Sequence, residues 1–72
     1  MSIFSTRLRE LRASRKITQK QAAKETGISE RAYQHYELDT LEPSIGNAGK
    51  LADFYNVSLD YLTGRSNNPQ RQ

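Results

Sequence analysis

Four polar residues that could bind a ligand lie close together near the middle of the chain: Glu30, Arg31, Gln34 and His35. His35 is the single histidine, and no serine, cysteine or carboxylate constellation converges on it in the sequence to form a nucleophile and its base. The chain has no cysteine, and one histidine cannot hold zinc without carboxylate help. We therefore expect no catalytic residue, no metal, no cofactor and a protein that is not an enzyme.

A short helix that begins at Glu30 would place these four side chains together. Ser29 is suited to cap its first turn, and a helix advances by ~100° per residue. The opposite side of this helix then carries Ala32, Tyr33 and Tyr36, and Leu38 joins the polar side. The sequence therefore predicts a helix with one face packed and one face open to a ligand.

The preceding residues predict a second helix that crosses the first. Thr18 and Gln21 have the spacing of a capping box, so this helix should begin near Gln19. Two short helices that cross steeply need a small side chain where they touch and a residue that tolerates positive φ at the turn, and Ala23 and Gly27 meet these needs. The stretch 19–37, QKQAAKETGISERAYQHYE, has the pattern of a helix-turn-helix that reads DNA.

The N-terminal residues predict a further helix, from about residue 3 or 4 to residue 15. Ser2 or Ser5 could cap it, and its apolar stripe follows a spacing of four and three: Phe4, Leu8 and Leu11. Lys16 comes where a glycine or asparagine would end the helix more easily. We therefore expect either positive φ at Lys16 or a looser helix end.

A fourth helix is predicted after a loop that ends at Pro43. Ser44 should cap it, and it should reach about residue 55. Gly46 and Gly49 weaken this helix by ~1 kcal/mol each relative to alanine, and they leave room for another backbone to pack closely. Its inward face is predicted to be Ile45, Ala48, Leu51, Ala52 and Tyr55.

The C-terminal part predicts one short helix and a polar tail. Asn56 suits a left-handed helix end, Ser58 suits a cap for a helix over residues 59–63, and Gly64 would close that helix. No segment has the alternation of a strand. We therefore expect an all-α fold of five helices, with one helix-turn-helix domain over residues 1–64 and a polar tail over residues 65–72.

Length and composition limit the protein to a single small domain. A core within 72 residues usually supplies only ~3–5 kcal/mol, which makes self-association a reasonable expectation. Nothing approaches the ~18 consecutive apolar residues of a membrane span, and the start MSIFSTR lacks the apolar part of a signal peptide. We expect a soluble, cytoplasmic protein that does not contact a membrane.

Charge is unevenly distributed along the chain, although the net charge is only +3. Residues 1–20 carry six basic side chains against one acidic side chain, a balance of +5, and residues 37–42 carry three acidic side chains, a balance of −3. A basic half beside the open helix suits a phosphate backbone, whereas the acidic stretch after that helix does not. The alternative for any single arginine is a solvated helix face.

The chain resembles the lambda repressor and Cro type of DNA-binding domain over about residues 4–64. The resemblance rests on RLRELR, ITQKQAAKETGIS, the YE at residues 36–37, the PS at residues 43–44 and the terminal KLADFYNVSLDYLTG. It implies a five-helix lambda-repressor-like domain whose helices 2 and 3 form the helix-turn-helix. In that family the second motif helix lies in the major groove of double-stranded DNA, and the start of the first contacts phosphate.

The resemblance places Glu30, Arg31, Gln34 and His35 at the base-reading positions. Arg31 could bind guanine O6 and N7 through a bidentate fork, or contact a phosphate without reading sequence. Gln34 could pair with adenine, and His35 could donate to guanine N7 or to phosphate. Glu30 would either accept from cytosine N4 or fix Arg31 through an ion pair.

The resemblance also implies phosphate contacts near the start of each motif helix. Gln19 matches a glutamine that donates to a phosphate and braces the reading helix, and its alternative is a first-turn residue that satisfies the cap. Tyr33 is larger than the usual Ile or Val, so either small residues make room for it in the core or its hydroxyl points outward to a phosphate. The predicted phosphate contacts are Thr18, Gln19, Lys20, Ser29 and Tyr33.

Arg12 and Glu37 match positions that form a partly buried ion pair in several relatives. Such a pair would tie the first helix to the end of the reading helix, and the alternative is an exposed, independent pair. After the reading helix the chain departs from the family pattern. Relatives commonly have Asn-Gly and a basic residue there, whereas this chain has the acidic LDTLE.

The resulting hypothesis is a sequence-specific DNA-binding regulator, a repressor that binds a near-palindromic operator as a homodimer. We expect an antagonist protein to regulate the repressor, and we expect no small-molecule substrate. The last two helices carry more apolar surface than a five-residue helix buries, so the predicted dimer interface is Phe54, Leu59, Tyr61 and Leu62. The alternative is a protein-interaction module, such as an antitoxin or an adaptor, that keeps the fold without binding DNA.

Overall fold

The computed structural model describes residues 2–71, and Met1 and Gln72 at the ends of the predicted domain and tail lie outside this range. These residues form five α-helices and no β-strand. The helices are α1 (Ile3–Arg15), α2 (Gln19–Thr26), α3 (Glu30–Leu38), α4 (Ile45–Tyr55) and α5 (Leu59–Thr63). The all-α, five-helix prediction is confirmed.

Each helix begins at a serine or threonine whose hydroxyl accepts a hydrogen bond from the backbone three residues later. The caps are Ser2, Thr18, Ser29, Ser44 and Ser58. Thr18 forms the predicted capping box, since the Gln21 side chain also accepts from the Thr18 backbone at 2.8 Å. Each such cap satisfies a backbone N–H that the helix leaves free, typically worth ~1 kcal/mol.

Each helix ends at a residue in the left-handed conformation: Lys16, Gly27, Asp39, Asn56 and Gly64. Lys16 has φ 56°, so the first of the two predicted alternatives is correct. Asn56 has φ 55°, as expected of a left-handed stop. A non-glycine residue pays a steric penalty in this region, which asparagine and aspartate tolerate better than lysine.

The core forms where all five helices meet. Tyr33, Leu8, Leu51 and Leu62 are its largest fully buried side chains. Residues of the two motif helices, α4 and α5 surround them, and Phe4 and Leu11 of α1 pack against this cluster. The motif helices are thus fixed from one side only, and their other side remains open.

One expectation about α4 was wrong. Ile45 is not on the inward face, because it is 87% exposed, whereas the other four predicted inward residues are buried. As the first residue of α4, Ile45 precedes the turn that reaches the core. The room at the two glycines is not filled by another backbone: a Cβ added to Gly49 would meet nothing within 4 Å, and one added to Gly46 would meet only the Ser44 hydroxyl at 3.9 Å.

The polar segment after α5 folds back onto the domain. Arg7 of α1 donates to the carbonyl oxygens of Tyr61 and, at 2.7 Å, Ser66. Arg71 donates to the carbonyl oxygens of Ala52 at 2.9 Å and Val57 at 3.0 Å. The Ala52 and Tyr61 carbonyl oxygens also accept from the backbone N–H groups of Val57 and Gly64, so these helix ends are capped without the arginines. The two arginines therefore attach the segment after α5 to α1 and to the end of α4. None of the helices described between residues 2 and 71 has the length and apolar character needed to cross a membrane.

Candidate nucleic-acid interface

The candidate interface is the exposed side of α2 and α3. The two helices pack against each other, with the small Ala22 and Ala23 of α2 buried and Ile28 after the turn buried too. Gly27 forms the turn with φ 74°, and since nothing lies within 4 Å of its Cβ position, backbone conformation rather than space requires glycine here. The small residues thus bring the two helices together as the sequence predicted.

The exposed side of α3 carries the four residues expected to read bases. Glu30 and Arg31 are exposed, and Gln34 and His35 are partly exposed. Gln34 Nε2 donates to Glu30 Oε2 at 3.4 Å, one helical turn away. Within residues 2–71, Arg31 has no hydrogen-bond or ion-pair partner, so this structure shows no ion pair between Glu30 and Arg31.

His35 is oriented by the end of its own helix. Its Nδ1 lies 2.8 Å from the Thr40 hydroxyl, and the Thr40 backbone N–H donates to the His35 carbonyl oxygen at 3.1 Å. The hydrogen bond at Nδ1 fixes the plane of the ring. Nε2 is the ring nitrogen left to face a ligand. The sequence does not indicate this contact, because Thr40 lies beyond the helix and no periodicity links it to His35.

A buried carboxylate on α3 connects this helix to α1 and α2. Glu37 is 3% exposed and accepts from Arg12 Nε at 2.7 Å and Nη2 at 3.0 Å. Gln19 Nε2, at the start of α2, donates to the same carboxylate at 3.0 Å. Gln19 therefore braces α3, because one N–H of its side-chain amide donates to a carboxylate within the protein.

The pKa of Glu37 reflects two opposed effects. Burial alone would raise the pKa of this carboxyl, because it disfavours the charged form. The hydrogen bonds from Arg12 and Gln19 favour the charged form, and the net result is a pKa below the ordinary value. Arg12 gains in turn, since its hydrogen bond to Glu37 raises the guanidinium pKa. The pair thus stays charged at neutral pH.

Tyr33 does not contact phosphate, which corrects one of the predicted roles. Its side chain is fully buried and its hydroxyl lies 2.5 Å from the Tyr55 hydroxyl on α4. Burial, together with the bond to Tyr55, raises the pKa of Tyr33 above its ordinary value. The alternative in which the core accommodates Tyr33 is correct, and the hydroxyl finds its partner in Tyr55 instead of solvent. The other predicted phosphate contacts, Thr18, Lys20 and Ser29, are exposed at the helix starts, with Gln19 partly exposed beside them.

The predicted dimer interface also needs correction. Leu62 is fully buried in the core and therefore cannot contact a second copy. Phe54 and Tyr61 are partly buried, and their rings are covered by the guanidinium groups of Arg15 at 4.9 Å and Arg7 at 4.0 Å. Leu59 is 40% exposed. A five-residue helix buries one side chain completely, and hydropathy alone does not tell which one.

The acidic stretch 37–42 is largely turned away from the exposed side of α3. Glu37 is buried in its pair with Arg12, as described above. Asp39 accepts from the Ser2 backbone N–H at 2.9 Å, and the hydrogen bonds from Ser2 lower the pKa of its carboxyl. Two of the three carboxylates are therefore held by contacts within the domain, and Glu42 is the third. The repulsion between this stretch and a phosphate backbone is thus smaller than the sequence suggests.

Comparison with known proteins agrees with this architecture. A helix-turn-helix family model matches residues 8–62. The chain is 36% identical over 67 residues, 93% of its length, to the uncharacterized HTH-type transcriptional regulator YobD of Bacillus subtilis. It is 41% identical over 59 residues, 82% of its length, to the HTH-type transcriptional regulator ImmR of the same organism. It is 34% identical over 64 residues, 89% of its length, to the cryptic phage CTXphi transcriptional repressor RstR of Vibrio cholerae.

The chain spans 60%, 46% and 58% of the lengths of these three relatives, respectively. No solved structure gives a significant match. The family match covers all of α2, α3 and α4 together with the greater part of α1 and α5. The chain belongs to the helix-turn-helix family, of the lambda repressor and Cro type.

Proposed function

We propose that this protein is a sequence-specific DNA-binding transcriptional regulator that acts as a repressor. The observation that carries the proposal is the exposed polar side of α3, where Arg31 has no partner within residues 2–71 while Arg12, Gln19 and Glu37 brace the back of the helix. A reading helix needs this combination, because base contacts are specific only when the side chains that make them are held in position.

The names of the relatives support the direction of regulation. RstR is named a transcriptional repressor, and ImmR and YobD are named transcriptional regulators. Repression requires no more than occupancy of an operator, which a small DNA-binding domain supplies by itself. We assign this protein the same kind of role, as a cytoplasmic protein that performs no catalysis.

Each exposed side chain has a defined role in this proposal. Arg31 donates to guanine O6 and N7, Gln34 pairs with adenine, and His35 donates from Nε2 to guanine N7 or to phosphate. Glu30 accepts from cytosine N4. The start of α2 and the cap of α3 contact phosphates, through Thr18, Gln19, Lys20 and Ser29.

A homodimer on a near-palindromic operator follows from the size of the reading helix. At 1.5 Å per residue, the nine residues of α3 span only ~13 Å, about four base-pair steps. Two copies on half-sites ~34–36 Å apart would double the sequence that is read. Of the four residues predicted at the interface, Leu59, Tyr61 and Phe54 keep some exposed surface for contact between copies.

The alternative proposal is a protein-interaction module, an antitoxin or an adaptor, that keeps the fold without the grip on DNA. Salt dependence separates the two. DNA binding weakens steeply with salt because counterions are released from neutralised phosphates, whereas an apolar protein contact does not weaken in this way. An antagonist protein that displaces the regulator from DNA is compatible with the first proposal.

The test is selection of random duplex DNA by the purified protein at near-physiological salt. The Arg31→Ala and Arg65→Ala variants are selected in parallel, because both remove one exposed arginine but only Arg31 lies on α3. We expect a palindromic motif with wild type and Arg65→Ala, and the same motif relaxed at one base pair of each half-site with Arg31→Ala. Failure to enrich any motif, with only weak salt-sensitive retention of DNA, would instead support the protein-interaction module.

A further inference from the structure

An apolar groove lies on the domain outside the exposed sides of α2 and α3. It has a volume of about 440 Å³ and runs between the start of α1, the α3–α4 loop, the start of α4 and α5. Four large aliphatic side chains line it: Ile3, Leu41, Ile45 and Leu59. They are 54%, 47%, 87% and 40% exposed, respectively.

These four side chains make up most of the exposed large apolar surface of the described chain. Leu38 is the one other large apolar residue in residues 2–71 that is counted as exposed, and it lies outside the groove. Single exposed aliphatic residues are ordinary, but a contiguous set around one concave surface marks a site of interaction. The DNA contacts proposed above use none of the four, and only Leu59 is also among the residues proposed for contact between copies.

The charged residues that line the groove are both acidic. Asp39 and Glu42 are exposed, and no basic residue of the described chain lines the groove with them. Asp39 is held in place by the hydrogen bond from the Ser2 backbone N–H at 2.9 Å. The groove therefore combines an apolar floor with a negative rim on a protein whose net charge is positive.

A second copy of this chain fits this surface poorly. An isologous contact would bring the acidic rims of two copies together, with Asp39 and Glu42 from each. A heterologous contact, with a basic part of one copy in the groove of the next, gives a ring only where the rotation closes and otherwise an open chain of molecules. The charge of the rim therefore favours a basic segment of a different protein.

We propose that this groove binds an amphipathic segment of a partner protein, with two or three aliphatic side chains flanked by lysine or arginine. The aliphatic side chains fill the space among Ile3, Leu41, Ile45 and Leu59, as apolar anchors of a bound helix fill a groove. The basic side chains pair with Asp39 and Glu42 on the rim. The acidic stretch after the reading helix thus has a role that DNA binding does not give it.

The experiment is selection from a phage-displayed library of random 16-residue peptides, with the purified full chain as bait. We expect enriched peptides to carry paired aliphatic residues beside lysine or arginine. Their binding should weaken about ten-fold with Ile45→Ser, because the aliphatic side chains of the peptide lose an apolar contact in the groove. Their binding should not change with Leu38→Ser, a matched change outside the groove. Ile45 is 87% exposed, so the substitution leaves the fold intact, which a thermal melt checks.

The charge of the rim is tested with a second matched pair of variants. Glu42→Gln should weaken binding of the selected peptides several-fold, and Glu25→Gln, an exposed change on α2, should not. The Arg31→Ala variant should bind the peptides as wild type does, so that the result stands apart from the outcome for DNA.

Three results would overturn the proposal. The first is a library that yields no enriched peptides, or only peptides whose binding is insensitive to Ile45→Ser. The second is a set of enriched sequences without basic residues, which would remove the role of the rim. The third is a wild-type dimer in sedimentation equilibrium that Ile45→Ser dissociates, in which case the occupant of the groove is a second copy.

Discussion

The Arg12 guanidinium and the Glu37 carboxylate join α1 to α3 through two hydrogen bonds, Nε to Oε2 at 2.7 Å and Nη2 to Oε1 at 3.0 Å. Arg12 also donates to the Ile17 carbonyl oxygen at 3.1 Å, in the segment that leads into α2. One guanidinium therefore holds three consecutive parts of the fold together. α3 is thereby positioned from its C-terminal half, while Glu30 and Arg31 in its first turn stay exposed.

Loss of either partner in this pair should destabilise the fold. Arg12→Ala leaves the buried Glu37 carboxylate without its charge partner, and we expect the free energy of unfolding to fall by about 2–3 kcal/mol. This is below the cost for a fully buried pair, because the Arg12 side chain is 25% exposed and Gln19 still donates to Glu37. Urea denaturation measures the change.

A double-mutant cycle separates the pair from the individual residues. Arg12→Ala with Glu37→Ala should cost less than the sum of the two single changes, with a coupling of about 1 kcal/mol or more. The control cycle uses Arg65 and Glu25, which are exposed and have no contact with each other within residues 2–71. A coupling of zero for Arg12 and Glu37 would mean that each acts alone.

Stability should depend on pH through Glu37. Its pKa in the folded protein is below the ordinary value, so the unfolded chain binds a proton more readily. The stabilisation is therefore fully present above the ordinary glutamate pKa of ~4.3 and is lost as the pH falls through the lower, folded value. Urea unfolding between pH 2.5 and pH 7 measures this slope, and we expect it to be shallower for Glu37→Gln but unchanged for Glu25→Gln. Equal slopes for wild type and Glu37→Gln would contradict the assignment.

The buried hydroxyls of Tyr33 and Tyr55 depend on each other. Tyr33→Phe removes one partner of the 2.5 Å contact and strands the other hydroxyl in the core, so we expect a loss of about 1–3 kcal/mol. Tyr33→Phe with Tyr55→Phe removes both hydroxyls and should be less destabilising than the two single changes added together. The measurement is urea unfolding of all four proteins near pH 7, with Tyr61→Phe as a control. Strict additivity would show that the hydroxyls do not interact.

Local signals in the sequence predict the helices of this protein well. Serine and threonine caps mark every helix start. The glycines and the asparagine at the ends of α2, α4 and α5 are residues that tolerate the left-handed conformation, and Lys16 stands at the end of α1 where such a residue is expected. Periodicity also separates the open side of α3 from its packed side. These features depend on residues a few positions apart, which the order of the chain displays directly.

Contacts between distant residues are where the sequence was insufficient. The sequence does not decide whether the Tyr33 hydroxyl lies in the core or contacts a phosphate, because only the position of Tyr55 on α4 settles this. Leu62 and Ile45 are both apolar and next to helix starts or ends, yet one is fully buried and the other 87% exposed. The groove itself was not foreseen, since its residues come from four separate parts of the chain.

The glycines of α4 offer a stabilising substitution. Gly49 lies inside the helix with nothing within 4 Å of its Cβ position, so Gly49→Ala adds a methyl group without a clash and removes conformational freedom from the unfolded chain. We expect the free energy of unfolding to rise by about 0.5–1 kcal/mol. The same change at Gly27 also meets no neighbour, but its φ of 74° strains any other residue, so Gly27→Ala should lower stability by about 1 kcal/mol. Space is open at both sites, so changes of opposite sign in the free energy of unfolding, measured by thermal or urea unfolding, would isolate the effect of backbone conformation. A gain in stability with Gly27→Ala would mean that the turn between α2 and α3 can relax.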